Sequence, residues 1–210
     1  MRRFAIISLL VITLACLLAP QIAPYDPMRT NPQNQLAAPS WVHWLGTDLL
    51  GRDAFSRLLH GGRHTLSVAL LATGFALGAG TYFGLIAAVY AGHIDRMISV
   101  SNNALLALPG LALAFILITL LGRGGLVVAL AIGVAQVAPT IQVMRSAALS
   151  ICVSAYVDAS YALGATSRHV LIWHVLRNIQ PTLSAYGLVI FSYSIINTAA
   201  LGLLGLGFVP

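Results

Sequence analysis

Long apolar windows, separated by short polar stretches, set the pattern of this chain. Five of them, residues 4–22, 65–91, 104–121, 125–144 and 182 to the last residues, lie between charged positions. Each comes close to the ~20 mostly apolar residues that a helix needs to cross the hydrocarbon core of a bilayer. None carries Asp or Arg at its centre. Barrel strands alternate polar and apolar residues, and these windows do not. The spanning element left is the helix, which satisfies its own backbone in lipid. The pattern therefore predicts an all-α, polytopic transmembrane helical bundle with five spans. Met1-Arg2-Arg3 before an apolar run also has the form of a signal peptide, and Thr13-Leu14-Ala15-Cys16 that of a poor lipoprotein cleavage site. Four further spans suit an uncleaved first helix better.

Small and polar residues refine the windows. The second holds Gly74-x-x-x-Gly78 and Gly80-x-x-x-Gly84, spacings that let helices approach closely. Pro109 and Pro139 mark span ends or bends, where neighbouring helices re-satisfy the backbone. Gln136, Ser192, Ser194 and Asn197 are the polar residues that either line a path or bond between helices.

Composition excludes several functions. Only 8% of the 210 residues are charged and 59% are hydrophobic, against about 25% charged in a soluble domain. All eleven basic residues are Arg and all five acids are Asp. Without lysine there is no Walker P-loop, whose Lys reaches the nucleotide phosphates, and no Schiff-base chemistry. The net charge of +6 fits sparse Arg at membrane interfaces better than a nucleic-acid patch. Cys16 and Cys152 have no metal-ligand spacing. His60 and His64, four apart, share a helix face without a Cys or Glu beside them; His169 and His174, five apart, do not share one. No catalytic residue and no metal site is predicted.

Two polar segments carry the remaining information. In the first, residues 25–64, a Pro- and Asn-rich loop leads into Gly46-Thr47-Asp48-x-x-Gly51-Arg52-Asp53 and then an amphipathic helix over 54–64, predicted to lie at the membrane surface. Asp48, Arg52 and Asp53 are placed to pair with one another or to fix the turn at Gly51. In the second, residues 145–181, Tyr156-Val157-Asp158-Ala159-Ser160 predicts a short helix with its carboxylate near the N-terminus and Gly164 at its end. A second short helix, 168–179, stops before Pro181. Two such helices between spans make a docking surface for another protein.

At these segments the sequence resembles the inner-membrane permease subunits of binding-protein-dependent ABC importers, in the dipeptide/oligopeptide/nickel branch. The Gly46–Asp53 run with Ser56-Arg57-Leu58-Leu59 and Gly62-Arg63 is similar to that branch's signature before the second helix. Tyr156 to Ser160, with Gly164 and Pro181 beyond, is similar to the EAA loop, and Leu201-Gly202-Leu203-Leu204-Gly205-Leu206-Gly207 to the end of the fifth span. The usual Glu of that loop is Asp158 here, its second Ala is Ser160, and a common Leu-Pro pair reads Leu176-Arg177.

The resemblance implies a type I importer permease fold with five spans of a usual six, Pro210 falling where the loop before the sixth begins. It implies residues 1–65 as a transmembrane helix plus an extracytoplasmic loop bearing the Gly46–Asp53 structural motif. Residues 66–210 become the permease core, with a cytoplasmic coupling loop near 146–181. Asp158, Ala159, Ser160, Gly164 and Pro181 become the residues that couple to an ATPase. The implied partners are two ABC ATPase subunits, a second homologous permease subunit and an extracytoplasmic solute-binding protein. ATP and Mg belong to the ATPases, and this chain carries no cofactor. The implied cargo is a peptide or a related small solute such as nickel. The N-terminus is expected in the cytoplasm on the same ground, since six Arg against five across the two sides do not decide topology. The residues alone leave two other readings, a self-sufficient channel or carrier and an intramembrane enzyme. The spans lack the buried Asp, Glu or His of proton-coupled carriers.

Overall fold

The computed structural model describes residues 2–205. Most of the described residues are helical, in the order α1 (Arg2–Leu17), α2 (Ala54–Val89), α3 (His93–Leu106), α4 (Gly110–Leu121), α5 (Gly125–Cys152), α6 (Ala155–Ala162) and α7 (Gln180–Leu203). Short helical turns at Ala19–Ile22, Pro32–Asn34 and Ser167–Asn178 join them. Three helices, α2, α5 and α7, are long and apolar enough to cross a membrane; α3 with α4 makes a fourth if the bent pair is one span. Apolar Ile6–Leu17 is shorter.

Three boundaries differ from the sequence expectation. The window 104–121 is not one helix: α3 and α4 meet at 86° across the break before Gly110. Pro109 has no N–H to bond one turn back and disfavours helix at the residue before it. The interfacial helix expected over 54–64 is the beginning of α2, whose 36 residues run without interruption. At 1.5 Å per residue α2 is about 54 Å long, well beyond a ~30 Å hydrocarbon core. Finally, α5 continues eight residues past the window that ended at 144, so Arg145 sits on a helix and not in a loop. The charge that bounded the window is accommodated by an ion pair. Leu206 and Gly207 of the expected span terminus, and Pro210, lie outside the described residues.

The chain divides into two compact units, one reaching Ser67 and one starting at Val68. In the second unit α5 is central, packing on α3, α4 and α7. One core joins Val68 and Ala72 of α2, Ala114 and Ile118 of α4, Val128, Ala129, Ala131 and Ile132 of α5, and Leu201 of α7. A second core joins Leu85 and Ala88 of α2 and Met144 and Ala148 of α5 to Val157, Val170, Val175 and Ile179. Of the two glycine spacings in α2, one packs closely among the described residues. A Cβ on Gly80 would meet Thr140 at 2.4 Å and one on Gly84 the Ile141 carbonyl at 2.9 Å, whereas Gly74 and Gly78 face open space.

Candidate functional site

The second polar segment forms a small platform. Ser154 precedes α6 but turns its hydroxyl back to the Ile151 carbonyl (2.7 Å), so no side chain caps the helix. Asp158 in the first turn supplies the negative charge that a helix N-terminus favours. Asp158 and Ala159 are exposed, while Val157 between these and the core is fully buried. Gly164 closes α6 with φ +90°: its N–H bonds the Tyr161 carbonyl at 2.9 Å, and the Ala165 N–H reaches the Ser160 carbonyl at 3.0 Å. This is the paired ending that a left-handed residue allows. A Cβ at Gly164 would meet nothing, so only the backbone conformation selects glycine.

After the turn the chain becomes helical again from Ser167 to Asn178, but Val170–Val175 at its centre is a π-helix. This overturns the expectation that His169 and His174 lie apart. A π-helix bonds i to i+5, and the two rings stand edge to face at 5.7 Å. His174 Nε2 lies 3.2 Å from the Ser160 hydroxyl, tying the second helical run to α6. The second helical run stops at Asn178, before Pro181 as expected; Pro181 itself occupies the first turn of α7, where its missing N–H has no intrahelical partner to lose. Val170, Val175 and Ile179 are anchored in the second core. Leu163 (90% exposed) and Trp173 (56%) stand on the outside with Val153, Tyr156 and Tyr161. The segment thus exposes large apolar side chains beside charged Asp158, Arg168 and Arg177, on a buried base connected to α2 and α5.

The Gly46–Asp53 motif is a structural turn in the first unit. Asp48 Oδ1 accepts from the N–H groups of Leu50 (2.8 Å) and Arg52 (2.9 Å), and its Oδ2 from Arg52 Nε (2.8 Å) and the Arg57 guanidinium. Desolvation pushes the Asp48 carboxyl up, but these donors outweigh it and hold the pKa down at about 2. Asp53 does not join that cluster. It accepts from His43 Nδ1 (2.8 Å) and caps α2 through the Ser56 N–H (2.8 Å). Its pKa is likewise lowered: desolvation raises it, and the Ser56 and His43 donors more than compensate. Thr47 bridges the loop, its hydroxyl accepting from the Ala37 N–H (2.9 Å) and donating to the Asn34 carbonyl. Gly46 is buried and bonds back to the His43 carbonyl. Gly51 has φ +71°, and a Cβ there would fall 1.8 Å from the Asn31 carbonyl oxygen.

Sequence reasoning also missed a long-range ion pair. Asp95 at the start of α3 takes a two-pronged contact from Arg145 of α5, Nε to Oδ1 at 2.6 Å and an η nitrogen to Oδ2 at 2.7 Å. The fifty residues between them hide it; the only signal is one acid and one Arg at the ends of neighbouring windows. Among the described residues no group of three or more His, Cys, Asp or Glu is placed to hold a metal ion.

The family described as binding-protein-dependent transport system inner membrane component matches residues 80–210, which include the whole platform. The chain belongs to that family. Residues 2–39 of the permease also match the N-terminal transmembrane domain of oligopeptide transport permease C. It is 35% identical over 208 residues to a dipeptide transport system permease protein of Alkalihalophilus pseudofirmus, covering 98% of this chain and 68% of that one. A di/tripeptide transport system permease protein of Pseudomonas aeruginosa is 34% identical, with 98% and 70% covered. A glutathione transport system permease protein of Pectobacterium atrosepticum is 32% identical, with 91% and 64% covered. The permease is a multi-pass inner-membrane component of an ABC importer.

Proposed function

We propose that this permease forms part of the path of an ATP-driven importer of small peptides, and that the 153–178 platform is where separate ATPase subunits grip it. One observation carries the reading: Leu163, Trp173 and Tyr156 are exposed together on a base whose Val157, Val170 and Val175 are fully buried against α2 and α5. A force on such a platform is passed to the two longest helices. Asp158, Ala159, Ser160, Gly164 and Pro181 act as the coupling set: Asp158 presents charge, Ser160 and Gly164 fix the bend, and Pro181 starts the helix that follows.

The chain has no lysine and thus no Walker site. Two partner ATPases hold ATP and Mg, a second homologous permease completes the path, and an extracytoplasmic binding protein delivers the cargo. The N-terminus and the platform face the cytoplasm, and the Gly46–Asp53 loop faces outward. Closure of the ATPases shifts the population between two packings of the helices. Relatives named for dipeptides, di/tripeptides and glutathione support a small peptide as the cargo.

The test is substitution in the assembled transporter. Asp158→Ala removes the charge, and Gly164→Leu forces a branched residue into left-handed backbone at about 1–3 kcal/mol. Both are expected to insert normally while losing ATPase binding or peptide-stimulated ATP hydrolysis. Wild-type coupling in both variants rejects the platform as the coupling site.

A further inference from the structure

We propose that Gln136, Tyr193 and Asn197 form a wall of the translocation path and hydrogen-bond the main chain of a passing peptide; the ligand class rests on the importer reading above. The three residues line one cavity of about 510 Å³ in the second unit, bounded by the α3–α4 break, α5 and α7. Several independent features mark that cavity as wet.

The first is the break itself. The chain leaves helical geometry at Pro109, between amphipathic α3 and apolar α4 set at 86°. Non-helical backbone at membrane depth is tolerated where it is buried in protein or borders water, and Leu108, Pro109 and Gly110 border this cavity. The second is Pro139. It interrupts α5 without breaking it and, lacking an N–H, frees the carbonyl of Ala135 one turn earlier. Ala135 and Pro139 also line the cavity. The third is the side chains. Gln136 and Asn197 are half-buried, and among the described residues neither side-chain amide has a hydrogen-bond partner. An unpartnered amide facing hydrocarbon is costly. The neighbouring Ser192 solves that problem within its own helix by donating to the Leu188 carbonyl at 2.9 Å. Two amides left open on one cavity are matched to water or to a polar cargo.

The donor and acceptor set defines the cargo. Each amide both donates and accepts, the tyrosine hydroxyl does the same, and the freed carbonyl accepts. A peptide main chain offers N–H and C=O groups in alternation and complements this set whatever its side chains are. Among the described residues no charged residue, Cys or His lines the cavity, so they offer a metal ion no thiolate, imidazole or carboxylate and no side-chain charge to select for or against. The volume falls within the ~300–1,000 Å³ range of small-ligand sites.

The experiment uses the complete transporter in proteoliposomes, with Cys16 and Cys152 replaced by Ser. Gln136→Cys, Tyr193→Cys and Asn197→Cys are each treated with a charged, membrane-impermeant methanethiosulfonate, with Ser192→Cys as the reference. Only a hydrated thiol ionises and reacts, so the three are expected to label about tenfold faster than the reference. Dialanine with the binding protein should slow them. Separately, Gln136→Leu and Asn197→Leu should lower dialanine uptake about tenfold each, one hydrogen bond lost, in complexes assembled to the wild-type level. Tyr193 is 56% exposed, so its cysteine variant reports even if a buried substitution fails to assemble. Labelling no faster than Ser192→Cys at all three positions, while wild-type peptide uptake is normal, overturns the proposal alone. Rapid labelling with no peptide uptake by the wild type overturns the peptide reading and the ligand class with it.

Discussion

Asp48 holds four donors on two oxygens, and that arrangement gives the outer loop a pH signature. Its folded pKa is about 2, below the ordinary carboxylate value near 3.8. A depressed carboxylate pKa means the unfolded chain binds the proton more readily, so the associated stability is complete above about pH 4 and lost as pH falls through about 2. Trp44, whose ring meets Phe55 of the same unit at 4.9 Å and a tilt of 47°, reports on this loop by fluorescence. The signal is expected to stay constant from neutral pH to about 4 and to fall toward pH 2. Asp48→Asn removes the Asp48 share of that pH dependence, leaving the share of Asp53, and lowers protease resistance already at pH 7. Gly51 sets a harder limit. A Cβ at 1.8 Å from the Asn31 carbonyl oxygen has no side chain to displace, so Gly51→Ala forces the backbone apart at about 3 kcal/mol or more. Protease digestion of the loop in membranes checks it, and a wild-type pattern contradicts the packing. The Gly-x-x-Asp spacing of this motif was legible because turns have local rules. The His43–Asp53 pair was not, since nothing in the ten residues between them specifies which acid the ring meets.

At the scale of elements, the sequence marked the long helices well and their interruptions poorly. A window average registers the apolar content of 104–121 whether or not Pro109 divides it. Reading helix as period 3.6 hid the π-helix at Val170–Val175, and with it the contact between His169 and His174. Ending a window at each charge placed Arg145 in a loop, although α5 carries it to a partner on α3. That partner makes the element-scale prediction. The Asp95–Arg145 contact is two-pronged and partly shielded, with side-chain exposures of 25% and 32%. Arg145→Ala leaves Asp95 with only the Ser99 hydroxyl and is expected to lower the melting stability of the purified transporter by about 1–3 kcal/mol. Arg145→Lys keeps the charge but not the planar fork, and recovers only part of that loss. Equal stability of all three proteins contradicts a structural role for the pair.

For the molecule as a whole, family and helical architecture were legible, because the two motifs are local and hydropathy marks apolar helices; span number was not, since the five windows become three membrane-length helices, or four with the bent pair, among the described residues. The cavity at the α3–α4 break was not, because it is built by Pro109, Gln136 and Asn197 from three separate windows. The proposed role, a passive path with an external motor, rests on a sequence without lysine for a nucleotide site, a platform with exposed apolar side chains over the second core, and a cavity whose amides are unpartnered among the described residues. Its central claim is that transport needs a partner's ATP hydrolysis. The most direct measurement is labelled dialanine uptake into proteoliposomes holding this permease, its partner permease and the ATPases, with binding protein on the delivery side. Uptake is predicted with ATP at the ATPase face and is predicted to vanish with a non-hydrolysable analogue. Equal uptake under both conditions, or by this chain without ATPases, contradicts the account.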